Sequence, residues 1–200
     1  MQDYFQQEGL TYRLVPMKKK ISDGYPGGVQ TDLMYNNMMT KFAFGGMETG
    51  KVYIDENIRR MTNNLQSNFA RLASALAGEG RKDSALKVLN YCEKMMPESD
   101  VPVTYYKIPL AQAWYKTGDM DGANKLTQKL FDTFTGYLAY YSKLSTGDRN
   151  NVQQQVNENV YFLDRMRVMM EQANQKENPL YKKITDALNQ YGPMYVAPQQ

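Results

Sequence analysis

No histidine occurs in this chain. That excludes any scheme needing an imidazole base and any metal site with a His ligand. A single cysteine, Cys92, excludes an intrachain disulfide and a Cys cluster for zinc or iron–sulfur. Apolar runs extend only a few residues, too short for a bilayer-spanning helix. An excess of one charge is also lacking. The 24 basic and 21 acidic residues leave a net charge of +3, too balanced to point to nucleic acid. Residues Met1 to Gly9 are polar and hold no apolar core of a signal peptide. At face value this predicts a soluble cytoplasmic chain. Tyr4 and Phe5, followed at once by a strand-like run, are equally compatible with the cut edge of a larger protein.

What is present is ordinary in amount: 200 residues, 42% apolar and 22% charged, enough to bury one core and at most an added arm. The chain is rich in Asn and Gln, with 16 Tyr and 14 Met. This composition suits amide-rich helices filled by Tyr and Met and carries no functional signal.

The periodicity changes near residue 50, which predicts an N-terminal arm over 1–50 and a helical domain over 51–200. In the arm, Leu10 to Val15 alternates as a strand does, and Pro16 ends it. Lys18-Lys19-Lys20 and Asp23 to Gly28 read as turns, and Thr31 to Phe42 as a short helix capped by Thr31 or Asp32. From Asp55, a plausible N-cap, Ile58, Met61, Leu65, Phe69, Leu72 and Leu76 form an apolar helical stripe ended by Gly78 and Gly80. A second helix carries Ala85, Leu89, Cys92 and Met96. A third spans about 104–117, where Pro109 implies a kink or a later start. A fourth holds Ala123, Leu126, Leu130 and Phe134, interrupted by Gly136. Asp148 opens a long fifth helix, and Asn178-Pro179 caps the last, which Gly192-Pro193 stops before a loose tail to Gln200.

Phe69, Leu72, Ala73, Leu76, Ala85, Leu89, Cys92 and Pro97 resemble a tetratricopeptide repeat. Small residues at Ala73 and Ala85 let two antiparallel helices approach closely, with large ones on either side. Leu110, Ala111, Trp114 and Ala123 repeat the spacing of Leu72, Ala73, Leu76 and Ala85 after 38 residues, against a standard period of about 34. Thr127 and Thr135 depart from the pattern, and the last two helices read as a capping pair. The expected fold is therefore all-α, a right-handed stack of antiparallel helical hairpins behind a partly irregular arm. Its core should include Phe69, Leu72, Leu76, Leu89, Trp114, Leu130, Val160 and Leu163.

No constellation of side chains points to catalysis. Asp55-Glu56 and Asp119 with Asp121 sit at helix starts, where the dipole favours acids. Glu158 and Asp164 are six apart in one helix and do not share a face well. Gly24 to Gly28 lacks the lysine and hydroxyl of a phosphate loop. Three lysines fall short of a lipid-binding cluster. Cys92 lies on an apolar face and reads as buried and inert. The one functional signal is a concentration of tyrosine. Tyr105, Tyr106, Tyr115, Tyr137, Tyr140 and Tyr141 form a candidate partner-binding surface, since helical repeats hold peptides on their concave side and tyrosine is favoured at interfaces. Packing of these rings inside the fold is the competing reading. A non-catalytic interaction module with a protein or peptide partner is expected, without cofactor, metal or nucleic acid; a small transferase or hydrolase is the weaker alternative.

Three segments carry a second resemblance. Gln7-Glu8-Gly9-Leu10-Thr11-Tyr12-Arg13-Leu14-Val15-Pro16, Tyr53-Ile54-Asp55-Glu56-Asn57-Ile58-Arg59-Arg60-Met61 and Asn68-Phe69-Ala70-Arg71-Leu72-Ala73 resemble the C-terminal soluble region of a bacterial multi-span membrane protein family. That family is similar to the protein O-mannosyltransferases, and the likeness spans most of residues 5–135. It implies that Met1 is an internal boundary preceded by membrane spans, and that any glycosyltransferase site lies in that membrane part. This region would then be a tethered positioning domain on the periplasmic face. No catalytic residue of the family falls on a position here. A free-standing cytoplasmic adaptor is the alternative.

Overall fold

A computed structural model describes residues 2–18 and 24–197. Lys19, Lys20 and Asp23 of the expected turns, and the last residues of the tail, lie outside them. The described chain is mostly helical, with eight α-helices and one small sheet. It divides into two compact units, one of Met1–Pro102 with Gln112–Asp119, the other of Val103–Ala111 with Met120–Gln200. The N-terminal fifty residues share the first unit with the helices that follow them. Residue 50 therefore marks a change of periodicity, and the division into units falls elsewhere.

The first unit opens with strands β1 (Phe5–Gln7), β2 (Tyr12–Leu14) and β3 (Gly28–Val29). β1 lies in the middle, antiparallel to β2 with Gln6 opposite Arg13, and parallel to β3 with Gln6 opposite Gly28. The strand expected over Leu10 to Val15 is thus β2, and it has a partner before it. A strand so near the start of the chain would be expected to lack a partner before it, and Phe5–Gln7 supplies one. Phe5 supplies the pairing through backbone groups, which apolar alternation does not report. Gly27 (φ +66°) makes the parallel pairing fit, because a Cβ there would stand 2.0 Å from the Phe5 carbonyl oxygen.

Helix α1 (Thr31–Asn36) runs directly into a π-helical turn over Asn37–Lys41. Its N-cap is Gln30 rather than Thr31 or Asp32. The Thr31 hydroxyl instead donates to the Glu79 carboxylate at 3.1 Å. Left-handed glycines at Gly45, Gly46 and Gly50 then turn the chain.

Helix α2 (Glu56–Gly78) starts as expected. Asp55 accepts from the Ile58 amide at 2.8 Å. It ends in a Schellman closure around Gly80, with the Arg81 amide on the Leu76 carbonyl at 2.9 Å and the Gly80 amide on Ala77 at 3.0 Å. Helix α3 (Lys82–Met95) returns against it. Ala73 and Ala85 are both fully buried, as close helix approach requires, and Cys92 is buried beside them in sequence. Phe44 packs on this hairpin, edge-on to Tyr91 at 5.8 Å and 6.2 Å from Phe69.

The expected stripe on α2 holds only for its second half. Ile58 and Met61 are 44% and 72% exposed, while Thr62, Asn63 and Gln66 are buried. Over these first turns the polar side faces inward. The correction has a simple cause: apolar spacing shows which face can be buried, but neighbouring elements decide which one is.

The arm covers the later turns of α2, within the first unit. The guanidinium of Arg71, 5% exposed, is the junction. Its Nη1 donates to Gln7 Oε1 at 2.6 Å and to the Tyr12 hydroxyl at 3.1 Å. Its Nη2 donates to the Gly27 carbonyl at 2.9 Å and that of Pro26 at 3.3 Å. The Tyr25 ring lies 5.0 Å from the guanidinium carbon. Gln7 Nε2 in turn donates to Asn68 Oδ1 at 2.6 Å.

Helix α4 (Ile108–Thr117) follows a 3-10 turn over Tyr105–Lys107. Of the two expectations for Pro109 the later start holds: the ring sits in the first helical turn, where its missing amide has no intrahelical acceptor to serve.

In the second unit, α5 (Met120–Tyr141) packs on α7 (Gln153–Gln172) and α8 (Pro179–Tyr191), and these two pack on each other. Gly136 does not interrupt α5 as expected. Leu130, Phe134 and Leu138 are buried on both sides of it, and that packing outweighs the roughly 1 kcal/mol a mid-helix glycine costs. The fifth expected helix is also two. The short α6 (Thr146–Asn151) is capped by Ser145, whose hydroxyl accepts from the Asp148 amide and donates to the Asp148 carboxylate at 2.6 Å. The chain then breaks at Val152 before α7. Asn178 caps α8 with Pro179 in its first turn, as its sequence predicts. All eight expected core residues are buried. No helix among the described residues is long and apolar enough to cross a membrane.

Candidate functional site

Five of the six tyrosines singled out by sequence belong to the second unit, where they form two ring groups, one of them packed on α7. Tyr105 and Tyr106 sit in the 3-10 turn before α4, their rings stacked at 4.1 Å. The other face of Tyr105 lies on Phe162 at 4.7 Å and only 8° from parallel. Phe162 continues inward to the buried Phe134 at 5.3 Å. One turn of chain is thereby fastened to α7 by a sandwich of three rings. This part of the set packs within the fold, although 41% of Tyr105 remains accessible at its edge.

The C-terminal end of α5 supplies the exposed part. Tyr137 and Tyr141 are four residues apart, hence on one face, with near-parallel rings 6.4 Å apart. Tyr140 meets Tyr141 edge-on at 5.7 Å. Tyr137 and Tyr140 are 52% and 62% exposed. Tyr161, on α7, is exposed to a similar degree and touches Phe162 edge-on at 5.8 Å.

Tyr115 does not join them. It falls in the first unit and is buried, its backbone carbonyl accepting from the Gly118 amide at the end of α4. Tyr161 and Phe162 were missed by the sequence reading, which weighed Glu158 only against Asp164. Their signal was the pair Tyr161-Phe162 lying between the core positions Val160 and Leu163, where any apolar residue reads as packing.

One carboxylate, Glu158, lies on α7 with Tyr161 and Phe162. It stands three residues before Tyr161 and four before Phe162, on the same face of α7. Its carboxylate is exposed, accepts from Gln154 Nε2 at 2.9 Å, and makes no ion pair among the described residues. A hydrogen bond to Tyr106 is the main reason the Tyr105 phenol is pushed up to about 12, with burial, the charge of ionised Tyr106 and that of Glu158 adding to it. The Tyr141 phenol is raised chiefly by burial, then by Tyr137, Tyr140 and Glu158. Both hydroxyls therefore stay neutral donors at physiological pH.

Elsewhere the second unit has a shallow groove of about 300 Å³ lined by Phe131, Thr135, Lys183, Asp186, Ala187, Gln190 and Tyr191. Across α7 and α8, Glu171 accepts from the Tyr181 hydroxyl at 2.7 Å and from Arg167 Nη1 at 2.9 Å. The Tyr181 bond in particular lowers its pKa. Among the described residues no Asp or Glu is buried, and no three His, Cys, Asp or Glu residues stand together as metal ligands would. No protein-family model, curated protein or solved structure matches this chain.

Proposed function

We propose that this chain is a non-catalytic interaction module that receives a protein or peptide partner on the tyrosine surface of its second unit. The observation that carries the reading is the exposure of Tyr137 and Tyr140, clustered with Tyr141 at the end of α5. Tyrosine presents a large rigid contact area at small entropic cost, and its hydroxyl fixes orientation. Catalysis would call for convergent ionisable groups held away from water; the ionisable groups of this cluster are phenols.

In this proposal the helices form tetratricopeptide-like hairpins. The buried Ala73, Ala85 and Cys92 of the α2–α3 hairpin support it, as do the buried Leu110, Ala111, Trp114 and Ala123 at the second set of repeat positions. The resemblance to membrane proteins related to O-mannosyltransferases adds the further proposal of a tether. The module would then position a partner beside a membrane-embedded transferase on the periplasmic face. The sequence upstream of Met1 in the genome tests that part: an open frame encoding membrane spans supports it, and a stop codon with a ribosome-binding site rejects it in favour of a free adaptor.

The interaction surface is tested by panning a library of short random peptides against the whole chain, alongside a Tyr137→Ala/Tyr140→Ala variant. Selected peptides should bind the parent chain and lose at least about tenfold in affinity on the variant, the equivalent of roughly 1.4 kcal/mol. Enriched peptides that bind both equally well place recognition elsewhere and refute the surface.

A further inference from the structure

The segment that follows α8 lies on α7. A 3-10 turn over Gly192–Met194 leads into it, and Tyr195 continues in extended conformation with φ −69° and ψ 127°. Two side-chain amides of α7 then hold its main chain. Gln153 Nε2 donates to the Met194 carbonyl at 2.9 Å. Asn157 Nδ2 donates to the Val196 carbonyl at 2.6 Å, and the Val196 amide donates to Asn157 Oδ1 at 3.0 Å. Gln153 Nε2 also donates to Asn157 Oδ1 at 2.9 Å, which fixes one amide against the other. Asn157 thus serves both main-chain groups of one residue, as a neighbouring strand would. The spacing suits an extended chain. Two residues of strand advance about 6.6 Å and four of helix about 6.0 Å, so residues 194 and 196 meet Gln153 and Asn157 in register. The hold runs through the main chain, and the side chains of Tyr195 and Val196 stay 46% and 54% exposed.

We propose that Gln153 and Asn157 form a reading site for an extended peptide main chain, that residues 194–196 occupy it as an internal ligand, and that an extended segment of a partner protein takes their place. A segment docked for stability alone buries apolar side chains, the main favourable term in packing. This one leaves them in water. Its hydrogen bonds are each weak in net, because water competes for the same groups. Its covalent tether keeps it in place by raising its local concentration, so a partner segment that adds contacts of its own can displace it. Glu158 and Arg165 of α7 are both exposed and of opposite sign, so charge does not select the occupant. The requirement is an N–H at the position of Val196, which excludes proline there. The site uses none of the tyrosines of the proposed partner surface and does not rest on that reading.

The test is heteronuclear NMR of the full-length chain, with a synthetic peptide of residues 192–197 capped at both ends as the probe. Val196→Pro removes the donor to Asn157 and should release the segment, moving the side-chain amide resonances of Gln153 and Asn157. Adding the probe to this variant should return them toward their parent positions. The parent chain, whose own segment competes, should need at least about tenfold more probe for any response. Probes with alanine in place of their Tyr or Val should bind within about threefold of the original, and a probe with proline in place of its Val should not bind. Asn157→Leu added to Val196→Pro should abolish binding. Val196 is exposed, so circular dichroism should remain that of the parent. A probe that leaves the Asn157 amide unmoved in Val196→Pro, or that fails once its Tyr or Val is alanine, overturns the inference. So does a parent chain that runs as a dimer in size-exclusion chromatography while Val196→Pro runs as a monomer, which would assign the segment to a second copy. None of these outcomes depends on Tyr137 or Tyr140, so the tyrosine surface stands or falls separately.

Discussion

Removing the guanidinium of Arg71 should detach the N-terminal arm from the helix it covers. The group is buried and donates to Gln7 Oε1 at 2.6 Å and the Gly27 carbonyl at 2.9 Å, with longer bonds to the Tyr12 hydroxyl and the Pro26 carbonyl. Gln7 lies in β1 and Gly27 directly precedes β3, so one side chain of α2 holds two of the three strands. Hydrogen bonds from a charged donor contribute about 1.5–3 kcal/mol each. Taking only the two short ones, at the low end of that range, Arg71→Met should lose about 3–4 kcal/mol. Lysine should not restore it. Its single ammonium cannot serve Gln7 and Gly27 from two nitrogens held in a plane, so Arg71→Lys should recover less than half. Urea unfolding followed by circular dichroism measures the total, and amide hydrogen exchange measures where it acts. Protection should fall at the paired amides of β1 and β3 and persist in α5, α7 and α8. A loss under about 1 kcal/mol, or full rescue by lysine, would refute the reasoning, since either would mean that the fork geometry is not what holds the arm.

Other expectations follow from single contacts. Gly27→Ala should destabilise the first unit by more than about 2 kcal/mol, because φ is +66° and the new Cβ would collide with the Phe5 carbonyl at 2.0 Å; thermal melting reads it, and a neutral result would mean that β3 does not seat against β1. Ala85→Leu should cost about 1–3 kcal/mol by overpacking the α2–α3 contact, measured by urea titration, with wild-type stability as the contrary outcome. Tyr105 should ionise near pH 12 rather than 10, so a titration of phenolate absorbance should lose a step near pH 12 in Tyr105→Phe. The folded form holds this proton more tightly than the unfolded one. Its contribution to stability is thus complete below pH 10 and is lost as pH rises through the window up to about 12. A Tyr105→Phe variant with an unchanged titration would sink that assignment.

Much of the helical framework was legible in the chain itself. Asp55, Asn178-Pro179, Gly80 and the turn at Gly118 mark helix ends by local chemistry alone, because caps and left-handed glycines involve only neighbouring residues. Core positions such as Phe69, Leu89, Trp114 and Leu163 were legible for a related reason: helical spacing gathers large apolar side chains on one face, and burying that face removes much apolar area from water. What failed were places where a distant segment decides. Gly136 passes as a break until Leu130, Phe134 and Leu138 are held on either side of it. The first turns of α2 bury Thr62, Asn63 and Gln66 and leave Met61 outside. That orientation depends on the neighbours of the helix and not on its own periodicity.

The same division runs through the site. Sequence by itself determined that tyrosine is abundant around residues 105 and 137–141, and that catalysis through histidine is excluded. Only the tertiary structure decided that Tyr105 spends both faces on packing, that Tyr115 is buried, and that Tyr161 of α7 stands exposed against Phe162. Composition counts side chains, whereas exposure, stacking and charge depend on which helices meet. That meeting is set by long-range packing between segments that a local reading of the chain sees one at a time.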